Sequence, residues 1–460
     1  MVETPGRPRV AIIGAGFSGA LTALGILETP GSNLLVHLIE QGERFGVGAA
    51  YGASQSDHLL NVRAINMSAD PDRPDDFVLW LAGRRRNAPE PFTFASRAEY
   101  GAYIQERLRR SVQTRKAADR LDLVQDAVLA VRPLGDGFEL DMAVGRKLGV
   151  DRVVLATGNA PPSRAILPDP SFVDHRGYVG DPWRRGALDG VGQEDAVLLL
   201  GSGLTMVDVM ASLDARGHSG PVLALSRRGL RPHRHAPVDP LPAASWRRAT
   251  GETLSASLGR FRRDVAHSGD WRALFDSLRA EIQTHWKALS MDERRRFLRL
   301  LRPWWDIHRH RLAPVMADRL AGWTARRLQI QAGRLEALAD TGGDIEIAWT
   351  PRGERALKRQ IVRHVINCTG PEGDPRESQS PLIRQLVAAG LARPDPLGLG
   401  IDTTEDGRLI SASGAVQPHL FAIGPPARGA LWEVTAVPDI RIQARRLSRT
   451  LALCAHDLVN

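Results

Sequence analysis

Short apolar runs that lead into glycine recur along the chain and predict buried strands. Residues 9–20 read RVAIIGAGFSGA and residues 195–206 read DAVLLLGSGLTM, so each run is followed by Gly-x-Gly and then by a helical stretch. Each helical stretch leads to another apolar run, at 34–40 and at 221–226. A strand, a helix and a second strand in this order form a β-α-β unit. The sequence therefore predicts two dinucleotide-binding folds in one chain.

Further strands complete an α/β pattern. Apolar runs at 152–158 and 364–370 end in threonine-glycine, and another at 419–426 ends in glycine-proline. Residues 123–150 and 328–366 alternate between apolar and polar positions and carry turn signals such as LGDG and DTGGD, which predicts two small antiparallel meanders. The predicted fold class is therefore α/β, with two Rossmann-like domains and small antiparallel meanders.

Residues 245–327 are predicted to form a mainly helical insertion. Ser290 and Glu293 form a capping-box pattern that predicts the start of a helix, and Pro303 is expected to end that helix. Before this helix, an apolar stripe at helical spacing consists of Trp271, Leu274, Phe275, Leu278, Ile282, Trp286 and Leu289.

The first glycine motif has the features of a pyrophosphate site. Gly14 permits a tight turn, Gly16 lets the backbone approach the ligand, and Gly19 allows the helix to pack closely on the strand. Glu40 ends the second strand, 26 residues after Gly14, where a carboxylate accepts hydrogen bonds from a ribose 2′-hydroxyl. Because FAD carries a free 2′-hydroxyl on its adenosine ribose, this motif resembles an FAD site.

The second glycine motif has a different chemical character. Gly201 and Gly203 keep the first two glycines, but Met206 replaces the third. The second strand ends without an acid and continues into Arg227 and Arg228. Arginine pairs with a 2′-phosphate, which an acid would repel, so NADPH is predicted here rather than NADH. The alternative is that both arginines are solvated surface charges in an arginine-rich chain.

The threonine-glycine strands indicate how the two domains are connected. In two-dinucleotide flavoproteins such strands mark the crossings between the FAD and NADP domains. Thr157 and Gly158 match one crossing, and residues 368–371 (Cys-Thr-Gly-Pro) match the return. The predicted organisation is an FAD-binding domain over 1–162, an NADP-binding domain over 163–354 that contains the insertion 245–327, and the rest of the FAD-binding domain over 355–460.

Composition excludes several classes of protein. With 460 residues, 43% of them hydrophobic, the chain has ample material for buried cores and is not disordered. Its two cysteines, Cys368 and Cys454, are too few and too far apart for a disulfide scaffold, a cysteine zinc cluster or a CxxC redox pair. The sequence shows no signal peptide and no apolar run of about 18 residues, so a cytoplasmic protein is expected.

The positive charge is concentrated in the predicted insertion. The net charge of the chain is +9, whereas residues 245–334 alone contain 19 Lys and Arg against 9 Asp and Glu. This basic, tryptophan-rich segment has two rival interpretations: it could bind nucleic acid, or it could bind a membrane surface. Because Trp271 and Trp286 lie on one apolar stripe, a packed helical core is favoured and neither partner is expected.

Several stretches that together span nearly the whole chain carry a family resemblance: IIGAGFSGALTAL, GVGAAYG (46–52), HLLNVRAINMSADPD (58–72), SRAEYGAYI (96–104), LLLGSGLTMVDV, ALSRRGLRPHRHAP (224–237), RPWWDIHRHRLAP (302–314) and GPPARGALWEVTAVPDIRIQA (424–444). In these stretches the chain resembles the class B flavoprotein monooxygenases, which include N-hydroxylases of amino groups, and more closely a bacterial family of FAD–NAD(P)-binding proteins. Such an enzyme reduces FAD with NADPH and transfers oxygen through a flavin C4a-(hydro)peroxide.

Several side chains are candidates for contacts with the flavin. His58 and Asn61 follow the second strand of the first motif and are placed to hydrogen-bond flavin or NADP+. Gly424 and the segment from Gly429 to Trp432 are expected to open the last helix, whose N-terminus would stabilise negative charge on the reduced flavin. The alternatives are a packed loop for the first pair and a plain helix cap for the second.

A basic aromatic stretch at 304–311 supplies the candidate substrate residues. Trp305, His308, Arg309 and Arg311 are placed to cap the flavin and to bind an anionic group such as a carboxylate. On a helix, His308 and Arg311 would share one face. A solvated basic face is the alternative interpretation. The histidine spacing is unsuited to zinc, so no metal is expected.

The predicted function is an FAD- and NADPH-dependent monooxygenase that uses molecular oxygen to hydroxylate the nitrogen of a small amine or amino-acid-like substrate. Two alternatives stay open. One is an NADPH-dependent flavin oxidoreductase or oxidase without oxygen insertion, and the other is a redox-sensing flavoprotein. The sequence does not identify the substrate.

Overall fold

The chain divides into two compact units, which are described separately. The computed structural model describes residues 7–52, 58–85, 90, 92–113, 119–164, 167–239, 241–242 and 245–453, so Cys454 lies outside the described residues. The first unit consists of Met1–Gly52, Arg63–Ala160 and Gly373–Asn460, and the second consists of Ala53–Val62 and Pro161–Glu372.

The strands are numbered in chain order. They are β1 (Arg9–Ile13), β2 (Leu35–Glu40), β3 (Leu121–Gln125), β4 (Val128–Leu134), β5 (Gly137–Met142), β6 (Lys147–Val150), β7 (Arg152–Leu155), β8 (Tyr178–Val179), β9 (Val197–Leu200), β10 (Val222–Ser226), β11 (Leu328–Asp340), β12 (Ile345–Pro351), β13 (Lys358–Val362), β14 (His364–Asn367), β15 (Arg408–Ile410) and β16 (Val416–Ala422).

The α-helices are α1 (Phe17–Glu28), α2 (Gly48–Gly52), α3 (Asp76–Ala82), α4 (Arg97–Val112), α5 (Leu204–Ala215), α6 (Leu254–Ser268), α7 (Trp271–Ser277), α8 (Ile282–Ala288), α9 (Met291–Arg296), α10 (Arg302–Arg309), α11 (Pro314–Arg326), α12 (Pro381–Ala388) and α13 (Val437–Leu453). Short 3-10 helices lie at Ala64–Asn66, Pro170–Asp174, Leu278–Glu281, Pro375–Glu377 and Pro425–Ala427, and a π-helical turn lies at Phe297–Leu301.

The first unit is built on a six-stranded sheet with the order β15-β16-β7-β1-β2-β3. β1 pairs in parallel with β2 and with β7, so α1 is the crossover of a β-α-β unit. A separate antiparallel sheet contains β4, β5 and β6. The predicted meander at 123–150 is therefore shorter than expected, because β3 joins the parallel sheet beside β2.

The second unit is built on a seven-stranded sheet with the order β13-β12-β11-β10-β9-β14-β8. β11 changes partners along its length: Leu328–Ala332 pairs in parallel with β10, and the rest pairs antiparallel with β12. The predicted meander at 328–366 corresponds to β11, β12 and β13. β14 is an exception, because it runs parallel to β9.

The boundaries of the units differ from the predicted domain limits. The return to the first unit was predicted at residue 355, but β13 and β14 remain in the second unit, which ends at Glu372. The reason is that β14 pairs with β9 and β13 pairs with β12. Residues 58–62, predicted within the first domain, also belong to the second unit.

The predicted insertion at 245–327 is helical and contains α6 to α11. Ser290 and Glu293 form the expected capping box at the start of α9. Pro303 does not end the helical stretch: a π-helical turn precedes it, and Pro303 occupies the first turn of α10. Among the described residues, no helix is long and apolar enough to span a membrane.

Helices α1 and α13 pack closely in the first unit because Gly25 has no side chain. A Cβ atom on Gly25 would lie 2.5 Å from Ser448 Oγ and 3.0 Å from Ser448 Cβ. Ser448 Oγ donates a hydrogen bond to the Thr22 carbonyl across this interface, at 3.0 Å.

We expect Gly25→Ala to lower the free energy of unfolding of the first unit by about 1–3 kcal/mol through overpacking. The higher helix propensity of alanine, worth about 1 kcal/mol, is too small to offset this. Urea denaturation measures the change. A Gly25→Ala, Ser448→Ala double variant should recover part of the loss, and a more stable Gly25→Ala protein would contradict the packing.

A cluster of rings holds the helical insertion against the segment after β10. The His233 ring lies 4.6 Å from the His308 ring and 5.1 Å from the Trp271 ring. The Leu312 backbone N–H donates to the His233 carbonyl at 2.7 Å. Burial, followed by the positive charges of His308 and Arg272, lowers the pKa of His233 to about 4.

The low pKa of His233 predicts a loss of stability in acid. Unfolded histidine binds a proton at about pH 6.5, whereas folded His233 does so only near pH 4. Stability should therefore fall as the pH drops from about 6.5 to 4. Thermal unfolding across this range should show a shallower pH slope in His233→Gln than in the wild type, and an unchanged slope would contradict the prediction.

Candidate functional site

The turn after β1 can accept only glycine at its first position. Gly14 has a φ of +99°, a conformation that side chains disfavour. Its N–H donates to the Ile39 carbonyl of β2 at 2.8 Å. A Cβ atom on Gly14 would lie 2.5 Å from the Ala156 carbonyl oxygen. The loop therefore draws the ends of β1, β2 and β7 together.

The other two glycines of this motif place the start of α1. Gly16 is the N-cap of the helix, and a Cβ on it would lie 3.3 Å from the Cα atom of Gly48. A Cβ on Gly19 would lie only 1.9 Å from the Gly14 carbonyl oxygen, so the helix passes directly over the turn. The first N–H groups of a helix have no intrahelical acceptor and attract anions.

Glu40 lies beside this loop at the carboxyl end of β2. Its Oε2 accepts a hydrogen bond from the Ala15 N–H at 2.9 Å, and its Oε1 accepts one from the Gly42 N–H at 3.2 Å. The carboxylate is thus held at the edge where ligands bind in open α/β sheets. The predicted group of Gly14, Gly16, Gly19 and Glu40 comes together in the first unit.

Asp126 was not predicted and lies at the same edge. It follows β3, and its backbone N–H donates to the Glu40 carbonyl at 3.0 Å. The side chain is buried, and its Oδ1 accepts a hydrogen bond from the Ala127 N–H at 2.8 Å. Its position directly after a strand of the parallel sheet was the available sequence signal.

The second glycine loop repeats the backbone geometry of the first. Gly201 has a φ of +111°, and its N–H donates to the Leu225 carbonyl of β10 at 2.8 Å. A Cβ atom on Gly201 would lie 2.6 Å from the Cys368 carbonyl oxygen. Gly203 is the N-cap of α5, and a Cβ atom there would have no other atom within 4 Å, apart from its chain neighbours. Open space therefore faces the start of this helix.

Met206 shows how the second motif tolerates the loss of its third glycine. Its side chain is fully buried on α5. At the equivalent position of α1, a Cβ on Gly19 would clash with the Gly14 carbonyl. The start of α5 therefore leaves space for a side chain next to its glycine turn, which the start of α1 does not. The turn at Gly201 nevertheless keeps the positive φ of the turn at Gly14.

The end of β10 differs chemically from the end of β2. Ser226 stands where Glu40 stands in the first unit, and its hydroxyl lies 2.8 Å from the Ser202 hydroxyl in the glycine loop. Arg227 is exposed. The Arg228 side chain donates to the Leu300 carbonyl at 3.0 Å, so the two arginines that were predicted to act together have different surroundings.

The two threonine-glycine segments occupy equivalent places. The Ala156 N–H, next to Thr157 and Gly158, donates to the Ile13 carbonyl at 2.9 Å, and the Cys368 N–H donates to the Leu200 carbonyl at 2.8 Å. Gly158 has a φ of +70°. Burial, with a smaller contribution from Asp208, raises the pKa of the Cys368 thiol, which therefore stays protonated at neutral pH.

His58 and Asn61 are fastened to the second unit. Nε2 of the buried His58 lies 2.8 Å from the Ser212 hydroxyl and 3.1 Å from the Asp208 carbonyl, and its ring packs edge-on against Trp183. The Asn61 carbonyl accepts a hydrogen bond from the His235 ring at 3.0 Å. These contacts correspond to the packed-loop alternative, and neither residue belongs to the unit that carries Gly14.

The side chains of the basic aromatic stretch at 304–311 make contacts within the helical insertion and do not form a binding surface. α10 ends at Arg309, so His308 and Arg311 do not share a helix face. Arg311 is 1% exposed, and its Nη1 and Nη2 lie 3.1 and 2.5 Å from the carboxylate oxygens of Asp276. This ion pair occupies the guanidinium, which corrects the prediction of an anion clamp.

The neighbours of Arg311 are also engaged. The Trp305 ring lies 4.8 Å from the Phe275 ring. His308 Nδ1 lies 2.7 Å from the Trp304 carbonyl. Arg309 is half-buried at the last position of α10. These side chains belong to the core and rim of the helical insertion, so the structure brings together no substrate pocket from this stretch.

The last helix begins further along the chain than predicted. Gly424, with a φ of +74°, caps a short 3-10 helix, and α13 begins only at Val437. Trp432 is 1% exposed and stacks under the Arg428 guanidinium. Glu433 is a buried residue that the sequence did not indicate: its φ of +67° makes it the one described non-glycine residue with a positive φ.

A cavity of about 830 Å³ opens in the first unit beside Leu24 and Leu27, toward the opposite end of α1 from the glycine loop. Charged side chains around it pair with one another, as Glu106 does with Arg84 and Arg110. The cavity is thus separate from the glycine site. Among the described residues, no group of three or more His, Cys, Asp or Glu side chains is placed to hold a metal ion.

Comparisons with known proteins agree with the two-unit architecture. Residues 11–160 match a family model described as FAD-NAD(P)-binding. A search of curated protein sequences gave no match. The matched segment begins within β1 and ends just after β7, so it contains the first glycine loop but not the second.

Solved structures resemble the whole chain at low sequence identity. The reduced form of ornithine hydroxylase from Pseudomonas aeruginosa is 16% identical, with a TM-score of 0.64 over 97% of this chain and 99% of that chain. An ornithine N-hydroxylase from Kutzneria sp. 744, described with reduced FAD, NADP+ and L-ornithine, is 14% identical, with a TM-score of 0.62 over 97% and 99%.

A bacillithiol disulfide reductase from Bacillus cereus is 15% identical, with a TM-score of 0.55 over 98% of this chain and 100% of that chain. At these identities the likeness shows the fold alone. The chain therefore has the two-dinucleotide fold that N-hydroxylases and disulfide reductases share, and its residues 11–160 match the FAD-NAD(P)-binding family.

Proposed function

We propose that this protein is an FAD- and NADPH-dependent monooxygenase that hydroxylates the nitrogen of a small amine or amino-acid-like substrate. One observation carries the proposal: the two units hold glycine loops of the same geometry, but the strand ends beside them differ in chemistry. Glu40 offers a carboxylate in the first unit, whereas Ser226 and Arg227 offer a hydroxyl and a guanidinium in the second.

The first unit fits FAD. The turn at Gly14 and the N-terminus of α1 form a cradle for a pyrophosphate, and a side chain at either Gly14 or Gly19 would collide with the backbone. The Glu40 carboxylate would accept hydrogen bonds from the adenosine ribose. When bound, FAD supplies hydride acceptance from a nicotinamide and the reaction with oxygen.

The second unit fits a nicotinamide dinucleotide. Gly203 leaves open space at the N-terminus of α5, where a pyrophosphate would lie. Without an acid at the end of β10, nothing there repels a 2′-phosphate, and the exposed Arg227 would attract it. These features favour NADPH over NADH.

A dithiol reductase is disfavoured by the cysteines of this chain. The sequence contains two cysteines and no CxxC motif. Cys368 is buried, and the raised pKa of its thiol keeps it in the unreactive protonated form. Among the similar structures, the two ornithine hydroxylases also have higher TM-scores than the disulfide reductase. The cysteines therefore disfavour dithiol chemistry, and the TM-scores support the proposed N-hydroxylase function.

The substrate class rests on these similar structures. According to their names, these enzymes hydroxylate ornithine, an amino acid with a side-chain amine. With Arg311 paired to Asp276, the chain offers no evidence for an anionic substrate from that residue. A small amine is therefore the first class to test.

Rapid mixing tests the proposed function directly. FAD-loaded protein is reduced anaerobically with NADPH and then mixed with oxygen while the visible spectrum is recorded, with and without a panel of small amines. The proposal predicts reduction by NADPH, a transient oxygen-dependent flavin spectrum, and hydroxylated amine in proportion to the NADPH consumed. Rapid reoxidation that yields only hydrogen peroxide with every amine would indicate an oxidase, and the absence of reduction would indicate a sensor.

Gly203→Ala should separate nucleotide binding from folding. The backbone φ of −86° accepts alanine, and the new Cβ meets no other atom, so the melting temperature should stay close to that of the wild type. The Cβ would project where the pyrophosphate approaches, so we expect the Kd for NADP+ to rise about tenfold or more. Fluorescence titration measures this change.

Gly190→Ala is the matched control for this variant. Gly190 lies in the same unit, outside the motif, and a Cβ there also has no other atom within 4 Å. We expect it to leave both the melting temperature and the Kd unchanged. An unaltered NADP+ affinity in Gly203→Ala would contradict the assignment of the second site.

A further inference from the structure

The helical stretch from Met291 to Arg309 changes its hydrogen-bond pattern just before Pro303. The π-helical turn Phe297–Leu301 joins α9 to α10, and the Arg302 N–H donates to the Phe297 carbonyl, five residues back. Proline has no N–H, so Pro303 cannot donate to the Arg299 carbonyl that lies four residues before it. The Arg299 carbonyl therefore lacks the N–H donor that an α-helix would supply, and a side-chain donor can take its place.

Arg228 supplies that partner from the end of β10. Its Nη1 lies 3.0 Å from the Leu300 carbonyl oxygen, and its Nη2 lies 3.5 Å from the Arg299 carbonyl oxygen. A guanidinium at the carboxyl end of a helical turn both donates to the exposed carbonyls and faces the negative end of the helix dipole. The Arg228 side chain thus links the helical insertion to the end of β10, next to Arg227.

The turn after β10 keeps Arg227 and Arg228 in different surroundings. The Ser226 hydroxyl accepts a hydrogen bond from the Gly229 N–H at 3.0 Å. Gly229 has a φ of +62°, and a Cβ on it would lie 3.0 Å from the Ala332 backbone nitrogen, so the turn is fixed. Arg227 is exposed, and within the described part of the chain it has no hydrogen-bond or ion-pair partner.

We propose that the adjacent residues Arg227 and Arg228 have separate roles. Arg228 is a positioning residue that fastens the helical insertion to the end of β10, and Arg227 alone discriminates NADPH from NADH. This inference rests on the proposed function for the role of Arg227. If Arg228 turned toward a 2′-phosphate, the carbonyls of Arg299 and Leu300 would lose a charged donor, so the nucleotide would have to overcome the loss of those hydrogen bonds.

The experiment compares Arg227→Gln with Arg228→Gln by two measurements. Hydrogen exchange of the backbone amides of residues 297–309, without nucleotide, reports how firmly the insertion is held. The ratio of the Kd values for NAD+ and NADP+, measured by fluorescence titration, reports the nucleotide preference.

For Arg228→Gln we expect exchange about tenfold faster over residues 297–309, with a Kd ratio within about twofold of the wild type. For Arg227→Gln we expect wild-type exchange and a Kd ratio reduced about tenfold or more. Arg228→Lys retains the charge but not the planar fork, so its exchange should lie between those of the wild type and Arg228→Gln. This variant also serves as the test if Arg228→Gln does not fold.

Two results would overturn the division of tasks. One is an Arg228→Gln protein that loses its NADP+ preference while residues 297–309 exchange at the wild-type rate. The other is an Arg227→Gln protein that keeps the preference. A wild-type protein that binds neither nucleotide would overturn the proposed function together with the role of Arg227, while the exchange of Arg228→Gln would still decide the role of Arg228.

Discussion

The close approach of two backbone segments at each glycine loop is the constraint on which the rest of the molecule depends. A Cβ atom on Gly14 would lie 2.5 Å from the Ala156 carbonyl, and one on Gly201 would lie 2.6 Å from the Cys368 carbonyl. In each unit this contact aligns the carboxyl ends of three parallel strands: β7, β1 and β2 in the first, and β14, β9 and β10 in the second. A helix N-terminus and the side chains at the strand ends then share one edge, where open α/β sheets bind ligands.

The same scaffold therefore appears twice, and its specificity depends on few side chains. Glu40 presents a carboxylate held by two backbone N–H groups, whereas Ser226 presents a hydroxyl bonded to its own glycine loop. Under the proposed function, the residues at the ends of β2 and β10 decide which ribose each unit accepts, while Gly14 and Gly201 keep the same positive-φ turn. Met206 is buried at the position of the third glycine. The third glycine therefore governs how closely the helix packs on the turn, whereas the turn forms without a glycine at that position.

The sequence predicted the parts of the structure that depend on local patterns. The β-α-β units, the glycine turns and the helical insertion follow from periodicity and from the conformations that only glycine adopts. Features set by distant partners were not predictable. Pro303 lies in the first turn of a new helix because a π-helical turn precedes it, and Arg311 is buried because Asp276, 35 residues away, neutralises it. The position of residues 58–62 in the second unit likewise depends on tertiary contacts such as that of His58 with Ser212.

The central claim is that each unit binds a different dinucleotide. Isothermal titration of the FAD-loaded protein with NADP+, followed by measurement of the FAD that remains bound, tests it most directly. We predict that each chain binds one NADP+ and keeps its FAD. Displacement of FAD by NADP+, or the absence of NADP+ binding while FAD is fully retained, would contradict the assignment of two distinct sites.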